Sequence, residues 1–383
     1  MDPKTDSGSR HGRARVNALV NVGLFSMVLL ILTVADLLHG DRVLSEAENR
    51  VLAQRPEWTR ESVLDGSFMR EYETYVTDQF VGRGKWVSVK TRADILMRKR
   101  EINGVWLCSD GYLIERHAPE DFTEEQVERK LALLKILADR WDARVMLVPT
   151  ADNILSYRLP SYAEYYDQSE LLERVTECVG DERYVDVYGA LKEHNAEEIY
   201  YRTDHHWTSR GAFYGYLAWA ESAGERPQSF RADMAEAASE DFLGTLHGRV
   251  NLPMEPDRIE YFPITNVLKP HLIYNLRKES NSYYEESYLN TKNQYGFFLD
   301  DNHAFIEIDT GFHNGRTLFV IKDSYANCLI PLLAMHYEKI YVTDLRYMNG
   351  QLFSFMESYE PEEGMDVLVL YNCVHFLEEF VYW

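Results

Sequence analysis

Basic residues are scarce in this chain of 383 residues. Forty lysines and arginines face 62 aspartates and glutamates, a net charge of 40 − 62 = −22. An acidic surface repels phosphate backbones, and no basic patch of useful size interrupts it, which argues against a nucleic-acid binder. Cysteine is scarcer still: Cys108, Cys178, Cys328 and Cys373 stand far apart. No C-x-x-C pair exists, so a zinc ribbon or a thioredoxin-type site is excluded. The spacing does not suggest a disulfide framework, while leaving one bridge open. There is no internal repeat and no low-complexity tract. Hydrophobic residues make up 45% and charged residues 27%, a globular balance that excludes a mainly disordered chain. The length allows one large domain or two ordinary ones.

What is present begins with one long apolar run. Val16 to Leu38 holds 23 residues with a single charge, Asp36, near its far end. A helix needs about 20 apolar residues to cross a bilayer core. Lys4, Arg10, Arg13 and Arg15 precede the run, against Asp2 and Asp6. The excess of positive charge predicts a cytoplasmic N-terminus and an extracytoplasmic remainder. A cleaved signal peptide is the competing reading. The run is long for a signal peptide's apolar region, and Thr33-Val34-Ala35 is a weak cleavage site, which favours an uncleaved anchor.

The expected organisation is a cytoplasmic tail (1–15), a transmembrane helix (16–38), a juxtamembrane helical neck (39–100) and an α/β domain (101–383) with an insertion at about 223–315. In the neck, apolar residues at Phe68, Tyr72, Tyr75 and Val76 have helical spacing. Asn103-Gly104 and Asp110-Gly111 are turn dipeptides beside apolar segments and predict a hairpin. Thr123 starts a helix with Val127, Leu131, Leu134 and Ala138 on its core face. Residues 145–148, 184–187, 317–321, 340–343 and 367–371 read as strands, and a helix follows Thr208 to about Ser222. Strands alternating with helices imply an α/β fold, a parallel sheet with helices on both faces.

Three segments carry chemistry. Thr203-Asp204-His205-His206-Trp207-Thr208 places a carboxylate and two imidazoles at a helix start, where Asp204 can orient His206. A helix cap with surface histidines is the plainer reading. Metal ligation by Asp204, His205 and His206 is another, but adjacent residues rarely converge on one ion without further ligands. Second, the strand ending in Lys322-Asp323-Ser324 puts a serine where open α/β sheets place their sites, with backbone N–H groups available to an oxyanion. Alone it reads as a helix cap; with Asp204 and His206 it completes a Ser-His-Asp set. Third, Asn372 ends the last strand, and its amide could also serve an oxyanion.

The Asp204-His205-His206-Trp207 block resembles the signature of the DHHW family, bacterial envelope proteins related to the alginate acetylation proteins within the SGNH (GDSL-like) hydrolases. Glu48-Asn49-Arg50-Val51-Leu52 with Pro56 resembles that family's entry segment, and Asn103-Gly104-Val105 with Asp110-Gly111-Tyr112-Leu113 its hairpin. The resemblance implies an SGNH-like fold in permuted order, Asp and His before Ser, which leaves triad geometry intact. His206, Thr208 and Gly211 keep the family's spacing. Two features depart from it: Lys322 stands where glycine often precedes Asp-Ser, and the loop Asp344-Leu345-Arg346-Tyr347 has no counterpart of the family's second-block glycine.

The resemblance implies an O-acyltransferase or acetylesterase acting on an exported or cell-wall polysaccharide, with a membrane-bound O-acyltransferase of MBOAT type as acyl donor partner, and no metal or cofactor. Ser324 would be the nucleophile, His206 the general base and acid, and Asp204 its orienter. The Ser324 backbone N–H and the Asn372 amide would hold the oxyanion. Trp207 and Tyr325 offer aromatic faces to sugar rings; Arg346 would bind substrate or form a structural ion pair. A non-catalytic envelope scaffold or glycan-binding protein remains a rival. A DHH-type phosphoesterase would need manganese and further Asp clusters, and it is cytoplasmic, so the anchor counts against it.

Overall fold

The segment Thr317–Lys322 is apolar from Leu318 to Ile321, and it forms an interior strand of a seven-stranded sheet. The computed structural model of the chain describes residues 7–45, 50–228, 230–348, 351–359 and 364–381. Contacts divide the chain into two compact units, Met1–Lys90 and Thr91–Trp383.

The first unit contains helix α1 (Ser7–Leu38) and helix α2 (Ser67–Gln79), and helix α3 (Arg83–Leu96) begins in it. Within α1, Arg15–Leu38 is long and apolar enough to cross a membrane, and its most apolar stretch is wholly unburied. Asp36, the one charge in the apolar run, accepts a hydrogen bond from Val81 N at 3.0 Å. Gln79 ties the connecting segment to the end of α2. Its Oε1 accepts from Arg42 N, and its Nε2 donates to Arg42 O and Ala53 O. Glu48 and Asn49 of the entry segment lie outside the described residues.

In the second unit the sheet strands are β1 (Arg144–Val148), β2 (His271–Tyr274), β3 (Lys278–Ser280), β4 (Phe305–Asp309), β5 (Thr317–Lys322), β6 (Lys339–Thr343) and β7 (Asp366–Asn372). Their order is β3-β2-β4-β6-β5-β7-β1. β6, β5, β7 and β1 run parallel, with Phe319 opposite both Tyr341 and Val367. β4, β2 and β3 extend one edge in antiparallel fashion. All three lie in the region expected as an insertion. Their short strands alternate with turns and carry a weak sequence signal.

Both faces of the parallel part are covered, which is why its strands are apolar through their middles, as in Leu318–Ile321 and Val367–Leu370. The covering helices are α4 (Glu124–Trp141), α5 (Gln168–Val179), α6 (Val187–Glu193), α7 (Ser209–Ser222) and α8 (Cys373–Glu379). Leu318 and Val320 of β5 belong to a core shared with α6 and α7. Phe319 and Ile321, pointing the other way, belong to one shared with α4, α5 and α8. Val127, Leu131, Leu134 and Ala138 of α4 are buried as their spacing requires. Thr123 and Thr208 cap α4 and α7 by accepting from Gln126 N and Gly211 N.

The hairpin is a three-stranded antiparallel sheet, Glu101–Ile102, Val105–Leu107 and Leu113–Glu115. Asn103 and Gly104 take φ of 53° and 74°, the left-handed pair that a tight hairpin turn demands. Residues 184–187 do not form a strand. Tyr184 makes a single parallel bridge to Val145, and Val187 opens α6 because Asp186 caps it at Gly189 N. All four cysteines are free.

Candidate active site

The parallel strands end on one edge, and the chemistry-bearing residues collect there. β5 runs into Asp323, whose Oδ1 accepts from Tyr325 N at 2.9 Å and so turns the chain into a short 3₁₀ segment, Ser324–Cys328. Ser324 is the first residue of that turn, and its N–H has no acceptor within it. Asp204, His205 and His206 precede α7, in a loop closed by a bridge between Tyr200 and Trp207.

The two segments meet. His206 Nε2 lies 2.8 Å from Ser324 Oγ, and His206 Nδ1 lies 2.6 Å from Asp204 Oδ1. With the carboxylate accepting at Nδ1, the ring proton sits there and Nε2 accepts the Ser324 hydroxyl. Asp204 is fully engaged. Its Oδ1 also accepts from His206 N, and its Oδ2 accepts from Thr245 N and Thr245 Oγ1 at 2.8 and 2.9 Å. Burial alone would raise the Asp204 pKa, but His205, His206 and the Thr245 N–H outweigh it and hold the carboxyl well below the usual range. Burial, followed by the neighbouring His206, pushes His205 down to about 4, so that ring stays neutral at ordinary pH.

Asp204, His205 and His206 also bring one ligand-type atom each within 4.8 Å of one another. The hydrogen bonds already made occupy them: His206 uses Nδ1 on Asp204 and Nε2 on Ser324, and His205 Nδ1 is 2.9 Å from Thr245 Oγ1. The donor set is that of a hydrogen-bonded triad.

Several contributors gave no sequence signal. Thr245 lies in the region expected as an insertion and reaches Asp204 at the start of a short helix, Thr245–Val250. Tyr295 stacks on His206 with ring centroids 3.7 Å apart and 9° between planes, and its hydroxyl donates to Ser324 O at 3.2 Å. Asp323 Oδ2 accepts from Asn372 N, Asn372 Nδ2 and His375 Nδ1, each at 2.9 Å. His375 does have a signal in hindsight: it stands three residues after Asn372, whose Oδ1 caps α8 at His375 N.

Other expected site residues take different places. The Asn372 amide, expected to face an oxyanion, donates to Asp323. Trp207 is wholly buried, its indole N–H donating to Tyr325 O at 2.8 Å, so it is a core residue with no face for a sugar. A β-carbon on Gly215 would fall 2.8 Å from that indole, which explains the glycine. Arg346 is a structural ion pair. Its Nε and Nη2 reach Asp344 at 2.9 and 2.7 Å, and Nη1 lies 3.5 Å from Glu379. Lys322, fully buried, points its Nζ at Asn302 Oδ1 and Asp344, leaving the backbone at Ser324 unobstructed by its side chain.

A cavity of about 180 Å³ adjoins the triad. Its walls include Asp204, His205, Tyr325, Asn372 and His375. Ser324 and His206 stand behind that wall, 5% and 6% exposed. Tyr325, also one of the walls, donates its hydroxyl to His205 O.

A serine in the turn after an apolar strand, bonded to a carboxylate-oriented imidazole, has the parts of a serine acyl-transfer site. Comparison with protein families matches residues 146–343, more than half of the chain, to the DHHW protein family. The chain belongs to the DHHW family. Among solved structures it is similar to a DHHW family protein from Eubacterium siraeum DSM 15702, with a TM-score of 0.59 and 23% identity over 72% of this chain and 93% of that one. Bacillus cereus PatB1 with a sulfonyl adduct is similar at a TM-score of 0.59 and 20% identity, over 73% of this chain and 97% of that one. Another structure of Bacillus cereus PatB1 gives 0.58 and 19%, over 71% and 98%. These likenesses establish the α/β fold. Comparison with curated proteins gives no match.

Proposed function

We propose that the protein is a membrane-anchored serine acyl-transfer enzyme acting on O-acyl groups of an exported or cell-wall polysaccharide. The observation that carries this reading is the continuous hydrogen-bonded path Asp204–His206–Ser324 at 2.6 and 2.8 Å.

Ser324 Oγ attacks an acyl carbonyl while His206 Nε2 removes its proton. Asp204 fixes the tautomer and stabilises the imidazolium that forms. The developing oxyanion is held by the Ser324 backbone N–H, at the start of a turn where no internal acceptor competes for it. His206 then returns its proton to the leaving alcohol, and an acyl-Ser324 remains. Water or a sugar hydroxyl resolves it, so esterase and transferase share every residue. The resemblance to alginate acetylation proteins favours transfer, with an MBOAT-type membrane protein supplying the acyl group. The apolar run Arg15–Leu38 supports an anchor, and the arginines and lysine before it support a cytoplasmic N-terminus. A reporter fused at the C-terminus should then be active only outside the cytoplasmic membrane; activity confined to the cytoplasm contradicts this.

The low exposure of Ser324 favours one alternative, a non-catalytic envelope scaffold. The two readings separate on an activated acetyl ester such as 4-methylumbelliferyl acetate. Catalysis predicts an acetyl-Ser324 adduct by mass spectrometry and a loss of about 10³-fold or more in turnover for Ser324→Ala at unchanged Tm. Equal turnover of both proteins establishes the scaffold.

A further inference from the structure

Helix α3 turns the wrong face to water. Thr91 and Asp94 are buried and Gly84, Val87 and Ser88 half-buried, all on one side of it. The other side carries Trp86, Val89, Ala93 and Leu96, which spacings of three, four and three residues align along the helix. That strip is exposed: Trp86 by 50%, Val89 by 58% and Leu96 by 85%. A helix surrounded by water does the reverse, burying its apolar stripe and showing its polar one.

Basic side chains border the strip. Lys85 and Arg92, seven residues apart, stand on one flank and Lys90 on the other, all three exposed. Residues 81–100 hold seven lysines and arginines and a single acid, Asp94, in a chain whose net charge is −22. Apolar residues part these charges in the sequence, so no patch shows there; the helix aligns them. An outward face with an apolar centre, an aromatic ring and basic flanks is that of a helix lying in a membrane interface.

The start of α3 is held beside the apolar run of α1. Val81 N, two residues before α3, donates to Asp36 Oδ1 at 3.0 Å. Asp36 stands in the last turn of α1, at the end of the stretch Arg15–Leu38 that is long and apolar enough to span a bilayer. At the end of such a span the anionic groups at hand are lipid phosphates, and they complement the cations of this segment.

We propose that α3 lies on the bilayer surface at the C-terminal end of α1, with Trp86, Val89 and Leu96 at the boundary between headgroups and acyl chains and Lys85, Lys90 and Arg92 against the phosphates of anionic lipids. The inference rests on the membrane-anchor part of the reading above. It gives the anchor a second, electrostatic hold on the bilayer, and the chain leaves the membrane along its surface.

The test is the depth of Trp86. The full-length protein is reconstituted into vesicles of phosphatidylcholine, or of phosphatidylcholine and phosphatidylglycerol in equal parts, with the phosphatidylcholine brominated near the headgroup end of its acyl chains. Bromine quenches only tryptophans in near contact, and α1 contains none, so the span itself gives no signal. The difference between wild type and Trp86→Phe isolates Trp86 from the remaining tryptophans. Trp86 should be quenched in the mixed vesicles. Its share should fall about fivefold or more in phosphatidylcholine alone, since each cation near an anionic leaflet is worth about fivefold in partition. The combined variant Lys85→Glu, Lys90→Glu, Arg92→Glu should show the same fall in mixed vesicles; the lipid comparison needs no charge variant, so misfolding cannot imitate it. Flotation of the vesicles after an alkaline wash separates the two readings. Protein that floats without Trp86 quenching, or with equal quenching in both lipids, overturns the docking of α3. Protein that the wash removes from the vesicles overturns the anchor reading itself.

Discussion

Gly244 lies directly against the Asp204 carboxylate: a β-carbon there would fall 2.7 Å from Asp204 Cγ and closer still to its Cβ and Oδ2. The backbone at Gly244 is ordinary, with φ −78°, so the reason for glycine is space alone. Only without a side chain can the following N–H, that of Thr245, reach Asp204 Oδ2 at 2.8 Å.

Gly244→Ala should therefore displace Asp204 while sparing the residues that do the chemistry. Overpacking of this kind costs about 1–3 kcal/mol, and misplacing an orienting group by about 1 Å costs on the order of 10²-fold in rate. Esterase turnover and Tm together check it. Full activity in Gly244→Ala contradicts the assigned role of Asp204.

Asp204→Asn keeps the shape and removes the charge. The amide can no longer accept at both oxygens from Thr245 and His206, and the ring loses the partner that fixes its proton on Nδ1. Turnover should fall by about 10²- to 10⁴-fold, as in other triads whose orienting carboxylate is neutralised. Substrate KM should change little. A rise in KM with turnover intact would place Asp204 in binding instead.

His375 and Asp323 give the fold a pH dependence of definite sign. The imidazole's folded pKa is raised above the ordinary 6.5, burial being outweighed by the Asp323 carboxylate. The pair's stabilisation is then fully present below about pH 6.5 and is lost as pH rises through the folded value. The Tm gap between wild type and His375→Gln should be widest at about pH 6 and narrow at about pH 9. A gap that is constant, or that widens toward alkaline pH, contradicts the pairing.

Much of the site was legible in the sequence because its parts are contiguous. Asp204 and His206 are two residues apart, and Ser324 follows, after Asp323, a strand whose apolar run is unmistakable. The parallel strands were legible for the same reason: buried on both faces, they have no alternation to be misread. Residues 184–187 looked like one of them, but Asp186 is a better helix cap than a strand residue. What the sequence hid is what long-range packing makes. Thr245 and Tyr295 come from the stretch 223–315, where short edge strands carry little periodicity, and nothing local marks either as a neighbour of His206. Trp207 and Arg346 misled in the opposite direction. An aromatic and an arginine beside site residues suggest substrate contacts, but the indole is needed in the core and the guanidinium neutralises buried Asp344.

The central claim, that His206 activates Ser324 for attack, is tested most directly by covalent labelling. The full-length protein is treated with phenylmethylsulfonyl fluoride, and the modified peptide is identified and its rate of formation measured. The account predicts a sulfonyl group on Ser324 and a rate lower by about 10²-fold or more in His206→Ala, since general-base assistance is worth about that much. Equal labelling rates in wild type and His206→Ala, or a label on another residue, would contradict it.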